Sequence, residues 1–144
     1  MANKRILDVV NSPADLKLLT DDELSILARE IREEIITTTS KTGGHVASSL
    51  GAVEIILAVH SLINCPHDKF IFDVGHQSYA HKLVTGRRDR FSTLRTFHGI
   101  SGFPKPGESV HDAFIAGHAS NSVSVALGMA RARTMLGQDY HVLS

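Results

Sequence analysis

Along the first half of the chain, apolar positions follow a helical period. Leu24, Leu27, Ala28, Ile31 and Ile35 recur at spacings of three and four, with Arg29, Glu30, Arg32 and Glu33 mostly off that stripe. Ahead of them, Thr20-Asp21-Asp22-Glu23 fits a capping box, in which a hydroxyl and a carboxylate satisfy free amides at a helix start. The β-branched run from Ile35 to Thr39 weakens the helix, and Gly43-Gly44 ends it. Residues 1–19 show no clear period and predict an extended or loosely helical arm packed on the body. A second helix is expected from about Ser49 to Ile63, with Val53, Ile56, Leu57 and His60 on one face and Asn64-Cys65-Pro66 closing it.

The pattern then changes. Lys69 to Val74 is a short β-branched and aromatic run that predicts a buried strand, broken by Gly75-His76-Gln77. A helical stretch from about Ser78 to Val84 stops at Gly86. Residues 87–95 place Arg87, Arg88, Arg90 and Arg95 around Phe91 and Leu94, a grouping that reads as a solvated face. Residues 98–111 are rich in glycine and proline and predict a loop. Ala113 to Ala116 reads as a second strand, and Gly117-His118-Ala119-Ser120-Asn121-Ser122 opens a long helix to about Leu136, with Gly137 as its C′ residue. Ala126, Gly128, Ala130 and Ala132 give that helix a small face suited to close packing on a sheet. Tyr140 to Leu143 predicts a third strand. This alternation implies an α/β fold, a parallel sheet flanked by helices, whose ligands sit beyond the carboxyl ends of the strands.

Composition narrows the class. The chain has 144 residues, 42% hydrophobic and 21% charged, which suits one globular domain and excludes disordered, collagen-like and coiled-coil readings. Fifteen basic and fifteen acidic side chains cancel, so no electrostatic footprint for nucleic acid or anionic lipid is expected. The apolar stretches fall short of the ~20 residues a membrane span requires. The start of the chain has an acid and a proline where a secretory leader would be apolar. Cys65 is the sole cysteine, which leans toward a reducing, cytoplasmic setting and, with no motif around it, toward an inert thiol.

Nine histidines remain to be placed. Three follow glycine at predicted breaks: Gly44-His45, Gly75-His76 and Gly117-His118. Glycine allows close backbone approach, and imidazole donates, accepts or carries a proton near neutral pH. One such dipeptide means little; three in loops expected on one rim of a parallel sheet point to a site. GHASNS (residues 117–122) adds small residues at a helix start, where unpaired amides favour an anion; an ordinary N-cap is its plain structural alternative. Neither a Walker A nor a GxGxxG sequence is present. His76 with His81, and His111 with His118, lack metal-ligand spacing, so no metal ligands are assigned. His60, His67, His98 and His141 read as structural or surface residues.

At these breaks the sequence resembles the 1-deoxy-D-xylulose-5-phosphate synthase family, thiamine diphosphate-dependent relatives of transketolase. The resemblance is carried by GGHVASSLGAVEIILAVH (43–60), FDVGHQSYAHKLVTGRRDRF (72–91) and GFPKPGESVHDAFIAGHASNSVSVALGMARA (102–132). It implies an incomplete thiamine diphosphate-binding, transketolase-like domain, with residues 1–19 as an arm and 20–144 as its N-terminal part. It also implies a transferase that condenses pyruvate with glyceraldehyde 3-phosphate, losing CO2, toward isoprenoid precursors, thiamine and pyridoxal. His45 would be the catalytic proton carrier. Ser48, His76, Gly117, His118 and Ala119 would hold the cofactor, with magnesium bound by ligands beyond this chain. The family often has serine at the position of Ala119, so contact there would use backbone. The 144 residues alone are expected to be inactive, and to associate with the remaining domains or as a homo-oligomer, a homodimer first. A non-catalytic binding or scaffold module with the same half-domain is the alternative.

Overall fold

A computed structural model describes residues 4–144; the first three residues of the expected arm lie outside the described residues. The arm forms a single 3-10 turn (Ile6–Asp8) and α1 (Pro13–Leu16), which carries its own capping box from Ser12 and Asp15. Leu7, Val10 and Leu16 are buried. The Glu30 carboxylate accepts the Leu7 amide at 2.7 Å, and the Arg88 guanidinium donates to the Leu7 carbonyl at 2.6 Å.

Helix α2 (Asp21–Thr42) starts where the capping box places it: Glu23 N donates to the Thr20 hydroxyl, and Thr20 N donates to the Glu23 carboxylate. It ends at Gly43, whose φ of 74° lies in the left-handed region open to glycine. Leu27, Ala28, Ile31 and Ile35 face the core. The second helix is not continuous as expected but divides into α3 (Val46–Gly51) and α4 (Val53–Leu62) at Ala52. Arg32 clamps this junction, donating to the Leu50 carbonyl at 3.1 Å and pairing with Glu54. Val53, Ile56, Leu57 and His60 line the buried face of α4.

The sheet is smaller than the pattern implied. Strand β1 (Lys69–Phe70) pairs in parallel with β2 (Val142–Leu143), in register Lys69 with Val142 and Phe70 with Leu143. Residues 113–116 form no strand. They run as irregular chain, with Ala116 packed on the turn at Gly75. The strand ends at Phe70, and the backbone then turns sharply at Val74 and Gly75, at φ 59° and 82°. For a β-branched valine that conformation is strained.

Helix α5 (Tyr79–Lys82) continues through a wide turn, Leu83–Arg87, and a 3-10 segment, Arg88–Thr93, with Gly86 at φ 83°. Helix α6 (Ser122–Met135) ends in Leu136 with Gly137 at φ 64°. Of its small residues Ala126 and Ala130 are half-buried, whereas Gly128 and Ala132 are exposed, and a Cβ on Gly128 would meet nothing within 4 Å. Among the described residues the molecule is helix-rich around a two-stranded parallel sheet. Its core joins α2, α4 and α5 to Phe70, Phe72, Phe91, Leu94 and Ile100.

Candidate functional site

His45 precedes α3, with extended backbone (φ −91°, ψ 93°), and its half-buried ring points back over the body. The His76 ring stands edge-on to it, centroids 5.7 Å apart, and Phe103 packs on it at 5.3 Å. Burial lowers the pKa of His45 below the ordinary imidazole value, and the charges of Arg95 and His76 lower it further. Ser48 Oγ donates to the His76 carbonyl at 3.4 Å, and the buried Ser49 hydroxyl donates to the same oxygen at 3.1 Å. The start of α3 thus holds the Gly75-His76 turn. His76 Nδ1 is buried with no partner among the described residues.

Gly117, His118 and Ala119 are all exposed. They do not follow a strand, and the His118 ring pairs with neither His45 nor His76. The segment nevertheless abuts the same turn. The Asp73 carboxylate accepts Ser120 N at 3.1 Å and Ser122 N at 3.3 Å, and a Cβ on Gly75 would stand 3.0 Å from that of Ala116. These hydrogen bonds hold the Asp73 carboxyl below its usual range. They also answer the question about GHASNS. Asp73 takes up the amides of Ser120 and Ser122 at the start of α6, while those of Gly117, His118 and Ala119 have no partner among the described residues. The three glycine–histidine loops converge, with two rings paired and the third segment presenting backbone.

What holds the loop of residues 101–112 against this rim went unread in the sequence. Arg87, taken for part of a solvated face, is buried and grips Asp112 with two bonds, 2.6 and 2.9 Å. It also reaches Glu108 at 3.0 Å, which Lys82 contacts as well. Each carboxylate closes the loop on itself: Glu108 accepts Ser101 N at 2.6 Å, and Asp112 accepts Lys105 N at 2.7 Å. Burial alone would raise the Asp112 carboxyl, but hydrogen bonds from His81 and Arg87 and the guanidinium charge outweigh it and hold it far below the carboxylate range. His81 Nε2 lies 2.8 Å from Asp112, and His81 Nδ1 lies 2.8 Å from His60 Nε2, the rings stacked. Burial pushes His81 down to about 4 and His60 to about 2, so both are neutral. Burial likewise raises the Cys65 thiol to about 11, in keeping with an inert side chain.

The fold and site define an α/β scaffold that gathers paired imidazoles, a serine and exposed glycine-rich amides on one rim. A family profile described as 1-deoxy-D-xylulose-5-phosphate synthase matches residues 7–144, and the chain belongs to that family. It is 63% identical over 139 residues to the 1-deoxy-D-xylulose-5-phosphate synthase of Thermus thermophilus, covering 96% of this chain and 23% of the relative. Synthase 2 of Geobacter sulfurreducens is 63% identical over 140 residues, and a probable chloroplastic synthase 2 of Oryza sativa 56% over 139. The chain spans less than a quarter of the length of these relatives.

Proposed function

We propose that these residues supply the N-terminal part of the cofactor site of a thiamine diphosphate-dependent transferase, which condenses pyruvate with glyceraldehyde 3-phosphate with loss of CO2. The residues present suit the cofactor. The exposed amides of Gly117, His118 and Ala119 are donors for a diphosphate, and the buried, unpartnered Nδ1 of His76 is a polar atom awaiting a neighbour. When bound, thiamine diphosphate supplies the carbanion chemistry. His45 carries protons at the rim, kept neutral at physiological pH by burial and by its cationic neighbour Arg95. Ser48 and His76 orient against the cofactor, and Phe103 shields one side of His45 from water. In this reading magnesium is held by ligands outside these residues. Val123, Leu127, Met135 and Leu136 stand exposed on or beside α6, which supports its burial against the remaining length of such a synthase or a second copy, as in a cytoplasmic homodimer.

The observation that carries this reading is the meeting of His45, His76 and the 117–119 backbone at one turn. The test is complementation. The chain is mixed with the Thermus thermophilus relative lacking its matching 139 residues, and cofactor-dependent CO2 release from pyruvate is followed. Neither piece should act alone, the mixture should, and His45→Ala should lower its rate ~10²-fold or more. A mixture that associates yet releases no CO2 contradicts the assignment.

A further inference from the structure

Tyr79 has no role in the account so far, yet its hydroxyl meets His45 twice. The side chain is fully buried, its ring edge-on to Phe91 at 6.1 Å. The hydroxyl oxygen accepts the His45 backbone N–H at 3.1 Å and lies 3.4 Å from His45 Nδ1. The hydroxyl proton then needs an acceptor of its own, because an unmade bond in a buried setting is costly. Among the described residues, the acceptor in reach is His45 Nδ1. The space is kept open by Gly44. A Cβ on Gly44 would stand 2.6 Å from the hydroxyl oxygen, and one on Gly102 3.8 Å from it.

We propose that Tyr79 is the positioning residue of His45, its hydroxyl donating to Nδ1 so that the neutral imidazole carries its proton on Nε2. The ring's exchangeable proton is then confined to Nε2. The groups facing His45 from neighbouring elements are His76, Arg95, Phe103 and Tyr79 itself. Protonating Nδ1 would turn the tyrosine proton away from its acceptor, an effect in the same direction as burial and Arg95. What the fixed tautomer is used for rests on the function proposed above; the tautomer itself is read directly on the chain.

The experiment is long-range ¹H–¹⁵N correlation of the histidine rings in the 144-residue chain, wild type and Tyr79→Phe, across a pH titration. The neutral wild-type His45 should show a pyridine-like Nδ1 and a pyrrole-like Nε2. Tyr79→Phe keeps the buried ring and removes one hydrogen bond, so the Nε2–H to Nδ1–H ratio should fall about fivefold, with the His45 midpoint rising. The buried His60 and His81 rings should stay unprotonated between pH 7 and 5 in the variant, which separates this effect from loss of fold. A wild-type spectrum showing Nδ1–H overturns the proposal without any variant, as does an unchanged ratio in folded Tyr79→Phe. Failed complementation with the expected tautomer present would refute the function alone.

Discussion

Replacing Asp112 by asparagine tests whether the buried charge network sets the position of the 101–112 loop. The Asp112 side chain is wholly buried and accepts from His81 Nε2, both terminal nitrogens of Arg87, and the Lys105 amide. Asparagine retains one acceptor oxygen and turns an amide donor toward groups that already donate. The two cations Lys82 and Arg87 then face a single carboxylate, Glu108, and one positive charge is left uncompensated. Removing one partner of a buried pair costs about 3–5 kcal/mol. Arg87 keeps its 3.0 Å contact with Glu108, so the lower end, about 3 kcal/mol, is expected. With a urea slope of ~2 kcal/mol/M, the unfolding midpoint should fall by ~1.5 M with the slope unchanged. Glu54→Gln is the reference: it breaks the ion pair with Arg32, in which the Glu54 side chain is 63% exposed, and should cost ~1 kcal/mol or less. Equal midpoints for Asp112→Asn and Glu54→Gln would refute the reasoning.

Acid should destabilise the fold through the stacked pair His60 and His81. Their folded pKa values are depressed to about 2 and about 4, so below 6.5 the unfolded chain binds more protons and stability falls as pH drops, down to about 4 for His81 and further for His60. The loss is about 1.4 kcal/mol per pH unit for each neutral ring, read from urea midpoints between pH 7 and 5; a flat profile would contradict the buried, neutral assignment. Gly75→Ala should destabilise by ~1–3 kcal/mol, because φ is 82° and the new Cβ would stand 2.6 Å from Pro104 Cδ, with thermal melting as the assay. A neutral substitution there would show that the turn beneath His76 is slack.

Local signals in the sequence were reliable where one short segment contains both partners. Thr20 and Glu23 cap α2, Gly43 ends it and Gly137 follows α6, each within a turn of its effect. His60 was legible as part of the inward stripe of α4 because Val53, Ile56 and Leu57 share its period. Long-range pairing was not legible. Arg87 and Asp112 lie 25 residues apart, and nothing in RRDR distinguishes the buried arginine from its half-buried and exposed neighbours. Tyr79 went unread for the same reason, its hydroxyl meeting a histidine 34 residues away. The expected strand at Ala113–Ala116 failed because Ala116 packs on the Gly75 turn and β1 pairs with β2 instead. At the candidate site, the glycine–histidine dipeptides mark loops that meet at the Gly75 turn, but the bonds from Ser120 and Ser122 to Asp73 were invisible. Those bonds occupy the amides of Ser120 and Ser122 and leave those of residues 117–119 as the donors of the proposed reading.

The central claim is that the loops of His45, His76 and residues 117–119 form one rim for a diphosphate-bearing cofactor. Backbone and imidazole resonances of the 144-residue chain should be followed while magnesium thiamine diphosphate is titrated in. The account predicts weaker than micromolar binding, with the largest shifts at the amides of Gly117, His118 and Ala119, then Ser48 and the rings of His45 and His76. Shifts centred on another face, or none at saturating cofactor, would contradict it.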